Sequence, residues 1–271
     1  MKTKTVTIGF QKEWESFFDR HPLWIEKYQK LTSTLTKIFY RNAVLNSPAD
    51  RVVFHLGRVC VEDFNELFLL CGNGYGIGGL KILRGLYERT VTLGYIADNP
   101  EQADPFLEYH HIQKGKMIIH AEKIFDLEND IGAEEVKIAK ENYEYFKSKF
   151  QETACNKCKT KRTMFSWYKL DTGSMAKKVG LDGLYFPGFV YPTLHTHATP
   201  TSLMARMSAG KNEKVAFDGG AQHDWADKSM ITGHNIMIFL LMIQNSYFKL
   251  DIDSEIDNRK KDFEEMWNND N

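Results

Sequence analysis

Apolar side chains recur every three to four positions along most of this chain, which is typical of helices with one buried face. The apolar positions between residues 22 and 40 show the pattern well: Trp24, Tyr28, Leu31, Leu35 and Ile38. Pro22 suits the first turn of that helix. The next helix is predicted to begin at Ser47-Pro48-Ala49-Asp50, a helix start signal, and to end near Cys71-Gly72.

The same periodicity predicts further long helices over residues 80–98, 106–127, 134–150 and 224–250, with shorter helical segments at 13–18 and 167–179. Residues 151–163 and 208–221 are predicted as loops. We expect an all-α, helical-bundle-like single domain of about seven to nine helices covering residues 1–271. Within it, 1–20 is an N-terminal arm with a short strand or disorder in its first ten residues. Residues 251–271 form a charged tail, as an exposed helix or a frayed end.

A glycine-rich stretch, Gly74-Tyr75-Gly76-Ile77-Gly78-Gly79, contains a literal GxGxxG. A dinucleotide fingerprint needs a strand before these glycines and a helix after them. Here the preceding segment is predicted to be helical. The stretch therefore predicts either close packing between two helices or a kink, in preference to a loop that holds phosphates.

Arg84 and Glu88 lie one helical turn apart on the segment after the glycines. As a surface pair they would contribute a few tenths of a kcal/mol. That segment is otherwise apolar and aromatic, as expected of a central helix, and a buried Arg–Glu pair is costly. Because a guanidinium donates two parallel hydrogen bonds to phosphate or carboxylate, Arg84 is a candidate anion receptor and Glu88 a group that orients it.

Histidines supply the other candidate chemistry. His195 and His197 lie in a turn-rich segment, and either would serve as a general acid or base. We take Arg84, Glu88, His195 and His197 as the candidate catalytic residues, with no metal site and no cofactor. The candidate substrate-binding residues are Tyr109, His110, Lys114 and Tyr191.

Composition excludes several classes. The 35 Lys and Arg against 36 Asp and Glu leave a net charge of -1, so there is no overall attraction to nucleic acid or acidic membranes. No apolar run follows the first lysines as in a signal peptide, and the longest run, 236–243, is too short to span a bilayer. The four cysteines do not make a disulfide framework. We expect a cytoplasmic protein with no membrane partner.

Several segments resemble an uncharacterised bacterial family of helical proteins with a domain of unknown function. The likeness covers roughly residues 50–245. It is carried by the Arg-x-x-x-Glu helix with its neighbours and by a later Tyr…His segment: Leu83 to Glu88, Tyr95, Asn99-Pro100, Tyr109, Trp167, Ala176, Tyr191, His195 and His197. The resemblance implies an all-helical fold.

The resemblance also implies a distant relation to HEPN-type helical proteins of bacterial conflict and antiviral defence systems, many of which are metal-independent ribonucleases that act as homodimers. Their hallmark is an arginine and a histidine separated by four to six residues. Here Arg51 and His55 are one residue too close, and Arg84 is followed by Glu88.

Two hypotheses follow. In the first, the chain is a hydrolase of phosphodiester or nucleotide bonds, a ribonuclease-like enzyme of a defence or stress system whose partner is a nucleic acid or nucleotide. In the second, it is a noncatalytic helical sensor or scaffold. A further alternative, a metal-dependent HD-type phosphohydrolase, rests on the dipeptide His223-Asp224. Convergence of Arg84, Glu88 and His197 in an open pocket would favour the first hypothesis.

Overall fold

The fold of the chain is given by a computed structural model, which describes residues 10, 12–154, 158–209 and 215–267. It is mostly helical, as predicted. The described residues form eleven α-helices: α1 (Glu13–Arg20), α2 (Trp24–Phe39), α3 (Pro48–Gly72), α4 (Gly76–Asp98), α5 (Ala103–Ala121), α6 (Ala133–Lys147), α7 (Thr172–Lys178), α8 (Tyr191–Thr196), α9 (Pro200–Met204), α10 (His223–Phe248) and α11 (Asp253–Trp267). The expected number, seven to nine, was too low. The short helices α8 and α9 lie in a segment where too few turns repeat for a period to be visible.

Contacts divide the chain into two compact units, Met1–Asp98 with Thr172–Asn271 and, separately, Asn99–Asp171. The assignment of one domain to residues 1–271 stays a prediction. In the first unit α3, α4 and α10 pack on one another. The side chains between them are buried almost completely: Phe64, Leu67, Leu83, Leu86, Met237 and Leu241. These are the apolar positions of the predicted helical periods.

The second unit is built on α5 and α6, which pack against each other around Ile118, Val136 and Ala139. The predicted loop at 151–163 is wrong in part, because β1 (Gln151–Thr153) and β2 (Lys161–Thr163) pair there as an antiparallel hairpin. The loop predicted at 208–221, in the first unit, likewise contains paired strands, β3 (Met207–Ala209) and β4 (Val215–Phe217). Strands of three residues are too short to show alternation. The predicted N-terminal strand lies almost entirely outside the described residues.

The predicted start of α3 is confirmed. The side chain of Ser47 accepts a hydrogen bond from the Asp50 amide at 3.0 Å, and the Asp50 carboxylate accepts one from the Ser47 amide at 3.0 Å. This reciprocal capping box satisfies two amides that the first turn of a helix leaves without partners. Pro48 occupies the first turn, as expected.

The glycine-rich stretch joins two helices, as predicted, and α4 begins inside it at Gly76. Gly74 makes the turn with a φ of 78°. Gln222, which precedes α10, holds this turn in place through two hydrogen bonds. Its main-chain amide donates to the Gly74 carbonyl at 2.9 Å, and its side-chain oxygen accepts from the Ile77 main-chain amide at 3.1 Å. The Ile77 amide at the start of α4 is therefore paired within the protein, and close helix packing is the role that these contacts support.

The charged C-terminal segment is a helix with a buried face. Along α11, Ile256 and Met266 are buried, and Asp262 pairs with Lys27 of α2 at 2.8 Å. Helix α11 also packs on α10, where Trp267 donates to Nδ1 of His234 at 3.1 Å. The sequence prediction of a helix is confirmed, but an exposed or frayed tail is wrong. The apolar residues of α11 form only a narrow stripe among many charged residues, so the buried face was not recognised from the sequence. No helix among the described residues is both long and apolar enough to cross a membrane.

Burial of His234 predicts sensitivity to acid. Burial lowers its pKa to about 3, partly opposed by the Asp262 charge, while the Arg259 charge lowers it further. Below pH 6.5 the histidine of the unfolded chain takes up a proton that the histidine of the folded chain does not. The free energy of unfolding therefore decreases as the pH decreases. By pH 5 we expect this residue alone to cost about 2 kcal/mol. In urea titrations at pH 7, 6 and 5, His234→Phe should therefore lose less stability than the wild type.

The control for this experiment is His55→Phe, which removes an exposed histidine from α3. It should follow the wild-type pH dependence. If His234→Phe also follows it, His234 does not account for the acid sensitivity.

Candidate functional site

Helices α4 and α8 pack together and bring two of the candidate residues into contact. Nη1 of Arg84 lies 3.4 Å from Nε2 of His197, which follows the last residue of α8. A guanidinium only donates hydrogen bonds, so Nε2 of His197 is the acceptor and its proton is on Nδ1. Nη2 of Arg84 is 3.6 Å from Glu88, at the i,i+4 spacing seen in the sequence. We call Arg84, Glu88 and His197 the arginine cluster.

The guanidinium of Arg84 is poorly satisfied. Its Cζ atom lies 5.2 Å from the ring centroid of Phe189, at a distance typical of a cation–π contact. Its Nε atom is buried and has no hydrogen-bond partner among the described residues. Among the described residues, the five N–H groups of Arg84 thus have two polar neighbours. One is His197, which accepts a long hydrogen bond, and the other is the carboxylate of Glu88 at 3.6 Å. A charged donor left in this state is ready to bind an incoming acceptor.

The segment before α8 sets the position of this cluster. The sequence predicts a connector rich in glycine, proline and aromatic residues from the end of the helical segment 167–179 to Pro192. In the structure, Phe186–Val190 of this connector forms a π-helical turn that continues into α8. Gly188 lies directly against the ring of Tyr87, where a Cβ atom would come within 2.7 Å of that ring. Tyr87 in turn donates to the Leu181 carbonyl at 2.9 Å. This close contact places Phe189 over Arg84.

His195 occupies a different environment from His197. It is 3% exposed, and neither ring nitrogen has a hydrogen-bond partner among the described residues. Its ring lies 4.8 Å from that of Tyr191 and 6.0 Å from that of Trp225. Burial lowers its pKa, and the charges of Arg206 and Lys81 lower it further. His195 is therefore a neutral imidazole beneath aromatic rings, and His197 is the exposed one of the pair.

The four candidate substrate-binding residues divide between the two units. Tyr191 lies in the first, stacked on Trp225 with ring centroids 4.9 Å apart. Tyr109 and His110 lie in the second, where they line an open cavity of about 430 Å³. The Tyr109 hydroxyl is already used, since it donates to the Met164 carbonyl at 2.8 Å. Lys114 pairs with Glu135 of α6. Their predicted roles stay predictions.

The dipeptide His223-Asp224 begins α10, and His223 hydrogen-bonds the carboxylate of Glu13 at 2.6 Å. Within the part of the chain that the structure describes, no three His, Cys, Asp or Glu side chains are grouped so that they could hold a metal ion. The HD-type hypothesis gains no support from this geometry.

Sequence reasoning missed three neighbours of the candidate residues. Phe189 contacts Arg84, Trp225 contacts His195, and the charge of Arg206 acts on His195. The sequence offers no signal for Phe189 and Arg206, because both come from segments without a clear period. Trp225 lies in the predicted helix over 224–250, but its contact with His195 joins distant segments, which periodicity does not reveal. Lys81 was identifiable, since it lies one turn before Arg84 on the same helix.

The fold and this geometry define a mostly helical protein with an arginine-centred polar cluster on a central helix. The chain belongs to the family DUF5677, a family of unknown function, whose profile matches residues 50–215. The predicted resemblance to a helical family of unknown function is thereby confirmed, over a shorter span than the expected 50–245. The match includes the whole arginine cluster. No curated protein and no solved structure matches the chain.

Proposed function

We propose that the chain binds a phosphate group at the arginine cluster and hydrolyses a phosphodiester or nucleotide there. The observation that supports this most is the guanidinium of Arg84, which lies between Glu88 and His197 and finds few acceptors for its N–H groups among the described residues. Its planar fork matches two phosphate oxygens. Glu88 would hold the other edge of the guanidinium in place.

The contact between Arg84 and His197 also supplies a step in catalysis. In the free protein Nε2 of His197 accepts from Arg84. A phosphate that takes over the Arg84 donors releases Nε2, which then accepts a proton from an attacking water. The water oxygen bonds to phosphorus, and the bond from phosphorus to the leaving oxygen breaks. The leaving oxygen takes a proton from solvent, and His197 returns its proton to solvent.

One observation favours the second hypothesis, a noncatalytic sensor. His195 is buried beneath aromatic rings, so His197 is the exposed imidazole of the predicted pair. Metal-independent cleavage of a phosphodiester gains from a separate acid and base. The same cluster with a single imidazole would bind a phosphorylated ligand without turnover. Measuring binding and turnover separately distinguishes the two hypotheses.

Arg84→Ala is expected to weaken phosphate binding by about 1.5–3 kcal/mol, or roughly 10- to 150-fold in Kd, because it removes a charged hydrogen-bond donor. His197→Ala should leave Kd within a few-fold and reduce turnover by about 100-fold or more. Calorimetry with nucleotides and short single-stranded RNA measures binding. Chromatography of the products, with and without a chelator, measures turnover.

Arg58→Ala is the matched control, since Arg58 is an exposed arginine on α3. It should change neither binding nor turnover. Binding by the wild type without turnover under any condition would establish the sensor hypothesis over the hydrolase. Equal binding by Arg84→Ala and the wild type would remove the arginine cluster from the proposal, as would a wild type that binds nothing in the panel.

A further inference from the structure

An open groove of about 360 Å³ lies on the same elements as the arginine cluster. Leu80 and Leu83 of α4 form part of its lining and are buried. Phe186 and Tyr191, from the π-helical turn and α8, form one side, and Trp225 of α10 another. Leu83 is the immediate neighbour of Arg84, and Phe186 lies one turn before Phe189. The groove and the arginine cluster thus share α4 and the segment that leads into α8.

The lining of the groove is mostly aromatic and aliphatic. Tyr191 and Trp225 stack on each other with an interplanar angle of 19°. Phe186 is 64% exposed, although it is a large apolar side chain at the rim of a concave surface. Flat aromatic groups bind such surfaces well, because stacking tolerates many ring chemistries and removes apolar area from water.

A charged side chain in the lining limits what fits in the groove. Nζ of Lys228 lies 4.8 Å from the Trp225 ring centroid and lines the groove, so a cation stands beside the aromatic wall. His195 contacts Tyr191 and Trp225 but does not line the groove, so it does not take part in this selection. An uncharged aliphatic ligand would leave the Lys228 charge unused.

We infer that the groove binds the base of a nucleotide whose phosphate is held by the arginine cluster. This rests on the proposed phosphate site and adds the class of ligand. Leu80 of the groove and Arg84 of the cluster are one helical turn apart, a spacing of side chains of about 5–6 Å. That short distance suits one nucleotide with its base and phosphate on adjacent patches. The lining offers few groups that would distinguish one base from another.

The test compares four probes: adenosine, ribose 5-phosphate, adenosine 5′-monophosphate and a short single-stranded oligoadenylate. The monophosphate should bind more tightly than either fragment. Phe186→Ala should weaken binding of adenosine and of the monophosphate about 5- to 100-fold, while ribose 5-phosphate binds as before. Arg84→Ala should weaken binding of ribose 5-phosphate and of the monophosphate but not of adenosine. Comparing the monophosphate with the oligoadenylate separates a free nucleotide from a single-stranded RNA as its source.

Phe125→Ala is the matched control, because Phe125 is an exposed phenylalanine outside the groove, in the second unit. A second variant, Trp225→Phe, keeps an aromatic wall. It should lower the affinity for the monophosphate less than Phe186→Ala does, and it should lose most of the fluorescence quenching that a stacked base produces. Phe186 is exposed, so its substitution should leave the fold intact, which circular dichroism checks.

The outcomes separate this inference from the proposed function. If ribose 5-phosphate binds through Arg84 but adenosine adds nothing, the groove is not a base site and the phosphate site stands. Binding of adenosine that is unaffected by Phe186→Ala also overturns the groove assignment. If none of the probes binds, both proposals fail. Binding of an apolar peptide in the groove, without binding of any nucleotide, would identify the groove as a surface for protein contacts.

Discussion

Replacement of Gly76 by alanine is expected to destabilise the protein by about 3 kcal/mol or more. A Cβ atom at Gly76 would lie 2.4 Å from the Ala226 amide nitrogen and 2.5 Å from the Gln222 carbonyl oxygen. Both atoms belong to the main chain at the start of α10, so they cannot move aside as a flexible side chain can. The measurement is the free energy of unfolding by urea, with the wild type alongside.

The matched control lies two residues further on. A Cβ atom at Gly78 would come no closer than 3.4 Å to any neighbour, at Tyr75, which is an ordinary contact. Gly78 is within α4, where alanine is favoured over glycine by about 0.5–1 kcal/mol. Gly78→Ala should therefore be neutral or stabilising. Equal effects of the two substitutions would contradict the close packing of α4 on α10 as the reason for Gly76.

Asp262→Ala is expected to cost about 3–5 kcal/mol. Asp262 is 7% exposed, and its carboxylate accepts from Lys27 at 2.8 Å and from Nε of Arg259 at 2.8 Å. Burial alone would raise the pKa of Asp262, but the Lys27 hydrogen bond and the Arg259 charge hold it below its usual value. Without Asp262, the buried ammonium of Lys27 keeps Glu265 as its one ion-pair partner among the described residues. Urea denaturation measures the loss.

Two further variants test the cause. Asp257→Ala removes an exposed carboxylate from the same helix, one that pairs with Lys260 at 3.1 Å, and should cost about 0.5 kcal/mol or less. Adding Lys27→Met to Asp262→Ala removes the poorly paired charge and should recover part of the lost stability. If the double variant is no more stable than Asp262→Ala, the charge on Lys27 is not what makes the single substitution costly.

The long helices were predictable because their signals are local. The start of α3 was predictable from Ser47, Pro48 and Asp50. Ser47 and Asp50 form a capping box, and Pro48 occupies the first turn. The last long helix, predicted over 224–250, is α10 at His223–Phe248. Short elements were not predictable in this way, because neither the six residues of α8 nor the three-residue strands extend over enough positions to show a period.

Only the part of the candidate site that lies on a single helix was predictable from the sequence. Arg84 and Glu88 are neighbours by helical spacing alone, and the structure keeps them 3.6 Å apart. The contact of Arg84 with His197 joins residues 113 positions apart. It depends on how α8 packs on α4, which in turn depends on the π-helical turn and on the contact of Gly188 with Tyr87. The sequence also gave no means of telling the buried His195 from the exposed His197.

The sequence by itself determined that this chain is mostly helical, where its long helices lie, and that one central helix carries an Arg–Glu pair. These properties follow from capping and periodicity within single segments. Only the tertiary structure decided that α11 is docked by the Lys27–Asp262 pair and that His197 lies beside Arg84. The physical reason is that such contacts depend on the packing of distant segments, which local patterns of apolar and polar residues do not specify.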